Sequence, residues 1–239
     1  MSAIHLGDTI KITGASRHPN ADALLIEHVL LDEADIVDIG ASDGSTSVDL
    51  INTLPNFKSF VIADLFFYIS ASVTAKNAVF FDNDGLCILV VGKRYLAWPS
   101  QSKAIQFLFR SLIRRCRSKS RQDVLLLNPA ARQLLANDPR LTFKVHDIFD
   151  PWPGSPPTVI KVANLLRRLY FSDEAILRAL TALMNSLADG GYLLMVDNPR
   201  IAGMPPRGGL YQKKSGKFDL IADTGNIPEI DDLIRLVDV

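Results

Sequence analysis

Ile36-Val37-Asp38-Ile39-Gly40-Ala41-Ser42-Asp43-Gly44 is the stretch that decides the fold. An apolar run carrying one acid enters a turn of small residues. Ser45 or Thr46 then caps a helix whose Val48, Leu50, Ile51 and Leu54 point inward until Pro55 stops it. Ser59-Phe-Val-Ile-Ala-Asp64 follows as a second apolar strand. Strand, helix, strand with both strands apolar throughout predicts a parallel sheet covered on both faces. In such a sheet the loop after the first strand lies at the carboxyl ends of the strands, where a ligand approaches. Gly40 and Gly44 remove side chains that would block that approach. A dinucleotide fingerprint needs Gly at position 42, which is Ser. A phosphate-gripping loop needs Lys after Gly44, which is followed by Ser45-Thr46.

Outward from this unit the alternation continues, with one interruption. Before it, the first twenty residues read as irregular, and Pro19-Asn20 opens a helix carrying Leu24, Leu25, His28 and Val29 on one face. After it, Ala78–Phe81 and Leu86–Val91 flank Asp82-Asn-Asp84-Gly85, a hairpin signal. Lys103–Cys116 then places Ile105, Leu108, Phe109, Leu112, Ile113 and Cys116 at helical spacing. Asp123–Leu127 reads as a strand and Pro129–Ala136 as a short helix. Further strands are expected at Leu141–Val145, Val159–Ala163 and Tyr192–Val196, with a Ser172-capped helix before Gly190-Gly191. Leu210–Gln212 and Phe218–Ala222 read as a closing hairpin. The expectation is a single domain over residues 1–239: a doubly wound, mostly parallel, seven-stranded α/β sheet. A hairpin-plus-helix segment is inserted at about 66–120, in a position to cap a substrate.

Composition narrows the function classes. The 239 residues are 48% hydrophobic and 22% charged, close to the globular average, which excludes a disordered or fibrous chain. Lys plus Arg equal Asp plus Glu at 26 each. That balance argues against a wholesale grip on nucleic acid or an anionic membrane, and leaves open a local patch such as Arg110–Arg121, read mainly as the solvated face of its helix. Cys87 and Cys116 are too few for a disulfide framework and fit no zinc spacing, and no metal is expected. No signal peptide and no spanning segment is visible, so a cytoplasmic location is expected. His5, His18, His28 and His146 are scattered and read as structural, His146 being the best exception.

Asp38, Gly40 and Gly44 together resemble motif I of the class I S-adenosylmethionine-dependent methyltransferases, which have a Rossmann-like sheet. The resemblance extends along the chain. Asp64 stands where that family's acid binds the ribose hydroxyls, and His146-Asp147-Ile148 matches the segment that brackets adenine. Lys161-Val-Ala-Asn164 matches the fourth strand and its active-site end, and Ala188-Asp-Gly-Gly191-Tyr-Leu-Leu matches the turn into the fifth. Asn164 through Asp197 is most similar to chemotaxis-receptor glutamate methyltransferases, although Ala163 stands where those have Arg. The resemblance implies S-adenosylmethionine as cofactor and S-adenosylhomocysteine as product. The cofactor-binding residues would be Asp38, Gly40, Ala41, Ser42, Gly44, Asp64, Leu65, Asp147, Ile148 and Asn164. Asp38 either braces the loop or touches the ligand. Asn164, Tyr170 and His146 are the catalytic candidates, and Tyr68, Tyr95 and Trp98 could line an acceptor pocket. A small-molecule acceptor is the expected partner. The competing expectation is a catalytically silent methyltransferase-like binding module.

Overall fold

The computed structural model describes residues 3–6, 9–12, 17–199 and 204–238, with side chains from residue 17 onward. In chain order the elements are β1 (Ala3–Leu6), β2 (Thr9–Ile12), α1 (Pro19–His28), β3 (Asp35–Ile39), α2 (Ser45–Thr53) and β4 (Ser59–Asp64). Next come β5 (Tyr68–Val73), β6 (Asn77–Phe81), β7 (Cys87–Gly92), β8 (Tyr95–Ala97), α3 (Lys103–Arg117) and β9 (Gln122–Leu125). The chain finishes with α4 (Pro129–Asn137), β10 (Leu141–Val145), β11 (Val159–Ala163), α5 (Asp173–Ser186), β12 (Tyr192–Asp197), β13 (Arg207–Lys214), β14 (Lys217–Asp223) and α6 (Asp231–Leu236). These elements form two compact units: residues 1–12 with 66–127, and residues 13–65 with 128–239.

The larger unit is built on a seven-stranded sheet in the order β10-β4-β3-β11-β12-β13-β14. The first five strands are parallel, while β13 runs antiparallel to both its neighbours. From β3 the chain winds outward through β4 to β10, then returns to the other side of β3 with β11 and β12. That reversal makes the sheet doubly wound, with its topological switch point between β3 and β11; in such sheets ligands bind beyond the carboxyl ends of the strands at that point. The apolar runs exist because both sheet faces are covered: Ile36, Val37, Ile39, Val159, Ile160 and Val162 are all buried. Helix α5 lays Ile176, Ala179, Leu180, Leu183 and Met184 on the sheet, each worth about 1.5–3 kcal/mol for a side chain larger than alanine. Its N-cap is the expected Ser172, whose Oγ accepts from the Ala175 amide. On α1, Ala21 packs so closely on β13 that a Cβ at Gly208 would come within 2.9 Å of the Ala21 Cβ.

The smaller unit corrects the expectation for the insert. It is a five-stranded antiparallel sheet, β8-β7-β6-β5-β9, plus α3, rather than a lone hairpin and helix. The Asp82–Gly85 turn does join β6 to β7, with the Leu86 amide donating to the Asp82 carboxylate. The unread strand β5, Tyr-Ile-Ser-Ala-Ser-Val, has serines at two of its positions and too little apolar contrast to stand out. Nor is the start of the chain irregular, since β1 and β2 pair as a hairpin. Helix α3 buries Ile113 and Cys116 and rests Ile105, Phe109 and Leu112 on Val79, Phe81, Cys87, Val90 and Ala97. Leu108, expected inside, is 75% exposed. At about 100° per residue it falls well to one side of that stripe.

Candidate functional site

The turn after β3 folds back over the end of β4. The amides of Gly40 and Ala41 both donate to the Ala63 carbonyl, at 2.9 and 3.0 Å, and the Ser42 amide donates to Asp64 Oδ2 at 2.7 Å. Gly40, Ser42 and Gly44 have φ of +77°, +60° and +80°. Glycine adopts that region freely and serine does not, so Ser42 carries strain of about 1–3 kcal/mol that its charge-assisted bond to Asp64 offsets. The Ser42 hydroxyl is buried without a partner. Gly44 leads directly into α2, and the Asn128 amides reach across to the Asp43 carbonyl.

Asp38 lies below this turn rather than on its surface. It is buried, and its Oδ2 accepts from Ser47 Oγ of α2 at 2.7 Å. Of its two expected roles, this contact is the bracing one. Burial pushes its carboxyl up, against the pull of the nearby Lys161 ammonium. Lys161 is fully buried and pairs with Asp22 of α1 at 2.6 Å.

The expected residues on β4 and β10 come together at the same sheet edge. Asp64 closes β4, buried, and its carbonyl accepts from the His146 amide. Leu65 follows it exposed, while Ile148 is buried in the core of the larger unit. Asp147 Oδ1 accepts from the Phe149 amide, which closes a tight turn. The His146 ring sits edge-on to Trp152, centroids 4.9 Å apart, and burial lowers its pKa, so it is neutral at pH 7.

At the ends of β11 and β12 the structure shows a polar cluster that sequence reading missed. Asn164 has φ +60°; its Oδ1 accepts from the Asn198 amide at 2.7 Å and its Nδ2 meets His18 Nε2 at 3.0 Å. His18 Nε2 also lies 2.9 Å from Asn198 Oδ1. Burial, reinforced by the positive charge of Lys161 and Arg17, holds the His18 pKa down at about 3, so the ring is neutral. Its Nδ1 is buried without a partner. Arg167 Nη1 donates to the Asn198 carbonyl. Tyr170 is half-buried in the following turn, its amide on the Arg167 carbonyl. His18 is 180 residues from Asn198, and no local signal links them.

Gly40 also has a neighbour that sequence does not reveal. A Cβ there would lie 2.6 Å from Leu165 Cδ2, so the Leu165 side chain fills the space against the turn. The remaining candidates belong to the smaller unit. Tyr68 is exposed at the start of β5. Tyr95 lays its ring on Gly92, donates to Asn77 Oδ1 at 2.6 Å and packs against Phe109, which anchors the β7–β8 turn. The Trp98 carbonyl accepts from the Gln101 amide in a short turn before α3. The side chain of His5 is outside the described residues. Among the described residues no group of three or more His, Cys, Asp or Glu is arranged to hold a metal ion.

Neither protein-family models nor curated sequences give a match to this chain. Solved structures do resemble it in fold. One is a pyocyanin biosynthetic protein, at 12% identity and a TM-score of 0.41, covering 77% of this chain and 38% of its own. A second is an amino pentose methyltransferase from Micromonospora echinaspora with S-adenosylmethionine bound, at 13% identity and 0.37, covering 83% and 57%. A third is a pericyclic reaction enzyme, at 13% and 0.37, covering 82% and 35%. The chain thus spans between about a third and just over half of the length of these proteins. At such identities and scores the likeness is one of fold outline, and it says nothing about what this chain binds.

Proposed function

We propose that this chain is an S-adenosylmethionine-dependent methyltransferase acting on a small-molecule acceptor. The observation that carries the reading is the bond from the Ser42 amide to Asp64 Oδ2, which ties a glycine turn to an acid at the switch point of a doubly wound sheet. The residues present fit the cofactor. A buried carboxylate oriented by a backbone amide suits a ribose diol, whose two hydroxyls are both donors. The unpartnered Ser42 hydroxyl is a further polar group at the same turn. Leu65 and Ile148 offer apolar surface for adenine, and Asp147 an acceptor for its amino group. Bound S-adenosylmethionine supplies a methyl group already activated as a sulfonium. The chain's own task is then to orient the acceptor and exclude water. Asn164, Tyr170 and His146 are the proposed orienting or proton-handling groups.

Titration calorimetry with S-adenosylmethionine and with S-adenosylhomocysteine tests the reading. Both bind one site in the wild type, and NAD does not. Replacing Asp64 with Ala weakens them roughly ten- to a hundredfold, a loss of about 1.5–3 kcal/mol, in a protein that stays folded. Unchanged affinity in folded Asp64→Ala overturns the site.

A specific observation favours a second reading, a module that keeps the fold without turnover. Leu165 fills the space against Gly40, and the Asn164 amide oxygen is taken up by the Asn198 amide. Under the methyltransferase reading Leu165 swings aside, and Leu165→Ala tightens cofactor binding. Transfer of a labelled methyl group to any acceptor eliminates the silent module.

A further inference from the structure

The chain's zero net charge is the sum of two opposite parts. Residues 1–12 and 66–127 hold eleven Lys and Arg against four Asp and Glu, while the rest hold fifteen against twenty-two. The smaller unit therefore carries a charge of +7 and the larger −7. Much of the excess lies on α3 and just after it, in Arg110, Arg114, Arg115 and Arg117 and on to Arg121. One face of α3 is committed to its sheet. The remaining surface is not purely polar: Phe107 stands opposite that face and Leu108 on its flank. Phe107 is 66% exposed and Leu108 75%, and the small residues Ala104 and Ser111 lie between them on the helix surface. At about 100° per residue, Arg110 and Arg114 border this strip on the Phe107 side, and Arg115 stands within it, between Ser111 and Leu108. The Arg110 guanidinium rests 4.6 Å from the centroid of the Phe107 ring.

We infer that the outer face of α3 is a docking surface for an anionic lipid bilayer. Two large apolar side chains standing in water gain free energy on entering the headgroup–acyl boundary, and flanking arginines meet the anionic headgroups above them. Nucleic acid would attract the same arginines, and Phe107 could stack on a base. Leu108 has no π face to stack, and its greater exposure is what selects lipid. The contact is with the surface, because no helix among the described residues is long and apolar enough to cross a membrane. The acidic remainder of the chain does not cancel the attraction everywhere, since the screening length is about 10 Å at 0.1 M salt.

Cosedimentation of the full chain with vesicles tests this, using phosphatidylcholine alone and phosphatidylcholine mixed with phosphatidylserine. The expected result is binding to the mixed vesicles about tenfold or more tighter than to the neutral ones, weakening as salt is raised. Phe107→Ser with Leu108→Ser, and separately Arg110→Glu with Arg114→Glu, each reduce it about tenfold or more. All four side chains are exposed, and circular dichroism checks that both variants are folded. No binding to mixed vesicles, equal binding to both kinds, or binding unaffected by either pair overturns the proposal. So does gel-shift binding to single-stranded RNA without vesicle binding, or a dimer abolished by the serine pair without vesicle binding.

Discussion

His18 shows at the residue scale how a neutral, buried side chain becomes a measurable device. Its pKa is 6.5 when exposed and about 3 here. Between those values the unfolded chain binds the proton and the folded one does not, so His18 favours the fold at neutral pH and progressively less as pH falls below 6.5. Asp22, Asp38 and Asp197 have raised pKa values and act with the opposite sign at low pH, so the comparison must isolate the ring. Urea unfolding of wild type and His18→Gln at pH 7 and pH 5 does so. The wild type is expected to lose about 2 kcal/mol relative to the variant over that interval. Gly40 makes a second residue-scale prediction. Gly40→Ala meets both a left-handed φ and the Leu165 side chain, and should cost about 1–3 kcal/mol. Adding Leu165→Ala relieves only the steric part, so the double variant, measured by thermal unfolding, recovers incompletely.

Elements in this fold are joined by a few polar contacts set among many apolar ones. Lys161 interrupts the apolar β11 and reaches Asp22 of α1, both out of water. Burial pushes the Asp22 carboxyl up even as the ammonium pulls it down, which is the usual balance for a buried pair. Removing one partner leaves an uncompensated group, so Lys161→Met is expected to destabilise by about 3–5 kcal/mol. Lys161→Met with Asp22→Leu should recover most of it, and a urea-based double-mutant cycle measures the coupling. Gly208 tests the same helix–sheet contact by shape. A methyl there would meet Ala21 and Thr224 at 2.9 Å, so Gly208→Ala should lower stability by about 1–3 kcal/mol.

For the molecule as a whole, charge is distributed so that the total misleads. A unit of +7 and a unit of −7 in a chain with a pI of about 6.9 carry no net repulsion between copies near neutral pH. Light scattering at low salt is expected to show self-association near pH 7 that disappears as salt is added, because screening weakens attraction between opposite units. Association that is indifferent to salt would point to apolar contacts instead.

Much of the architecture was legible in the chain. The apolar runs at Ile36, Ser59, Val159 and Tyr192 read as strands of a covered sheet, Leu141–Val145 is its more exposed edge strand, and the Ser172 cap and the Asp82–Gly85 turn are local chemistry. The glycine turn and Asp64 stand in order along the chain, and each ends a strand. The rest depended on distance. Asp38 accepts from Ser47, nine residues on, a contact that spacing does not announce; the His18–Asn164–Asn198 cluster joins residues up to 180 apart. The extra strands of the smaller unit are recognisable only through their partners, since a strand with mixed side chains is defined by the ladder it joins. Leu108 fell outside its helix's buried stripe because period fixes an angle, and the width of the covered face is set by what packs against it. Local sequence determined which segments form and how each ends; tertiary structure decided which polar groups meet, because hydrogen bonds and ion pairs between remote segments carry no local periodicity.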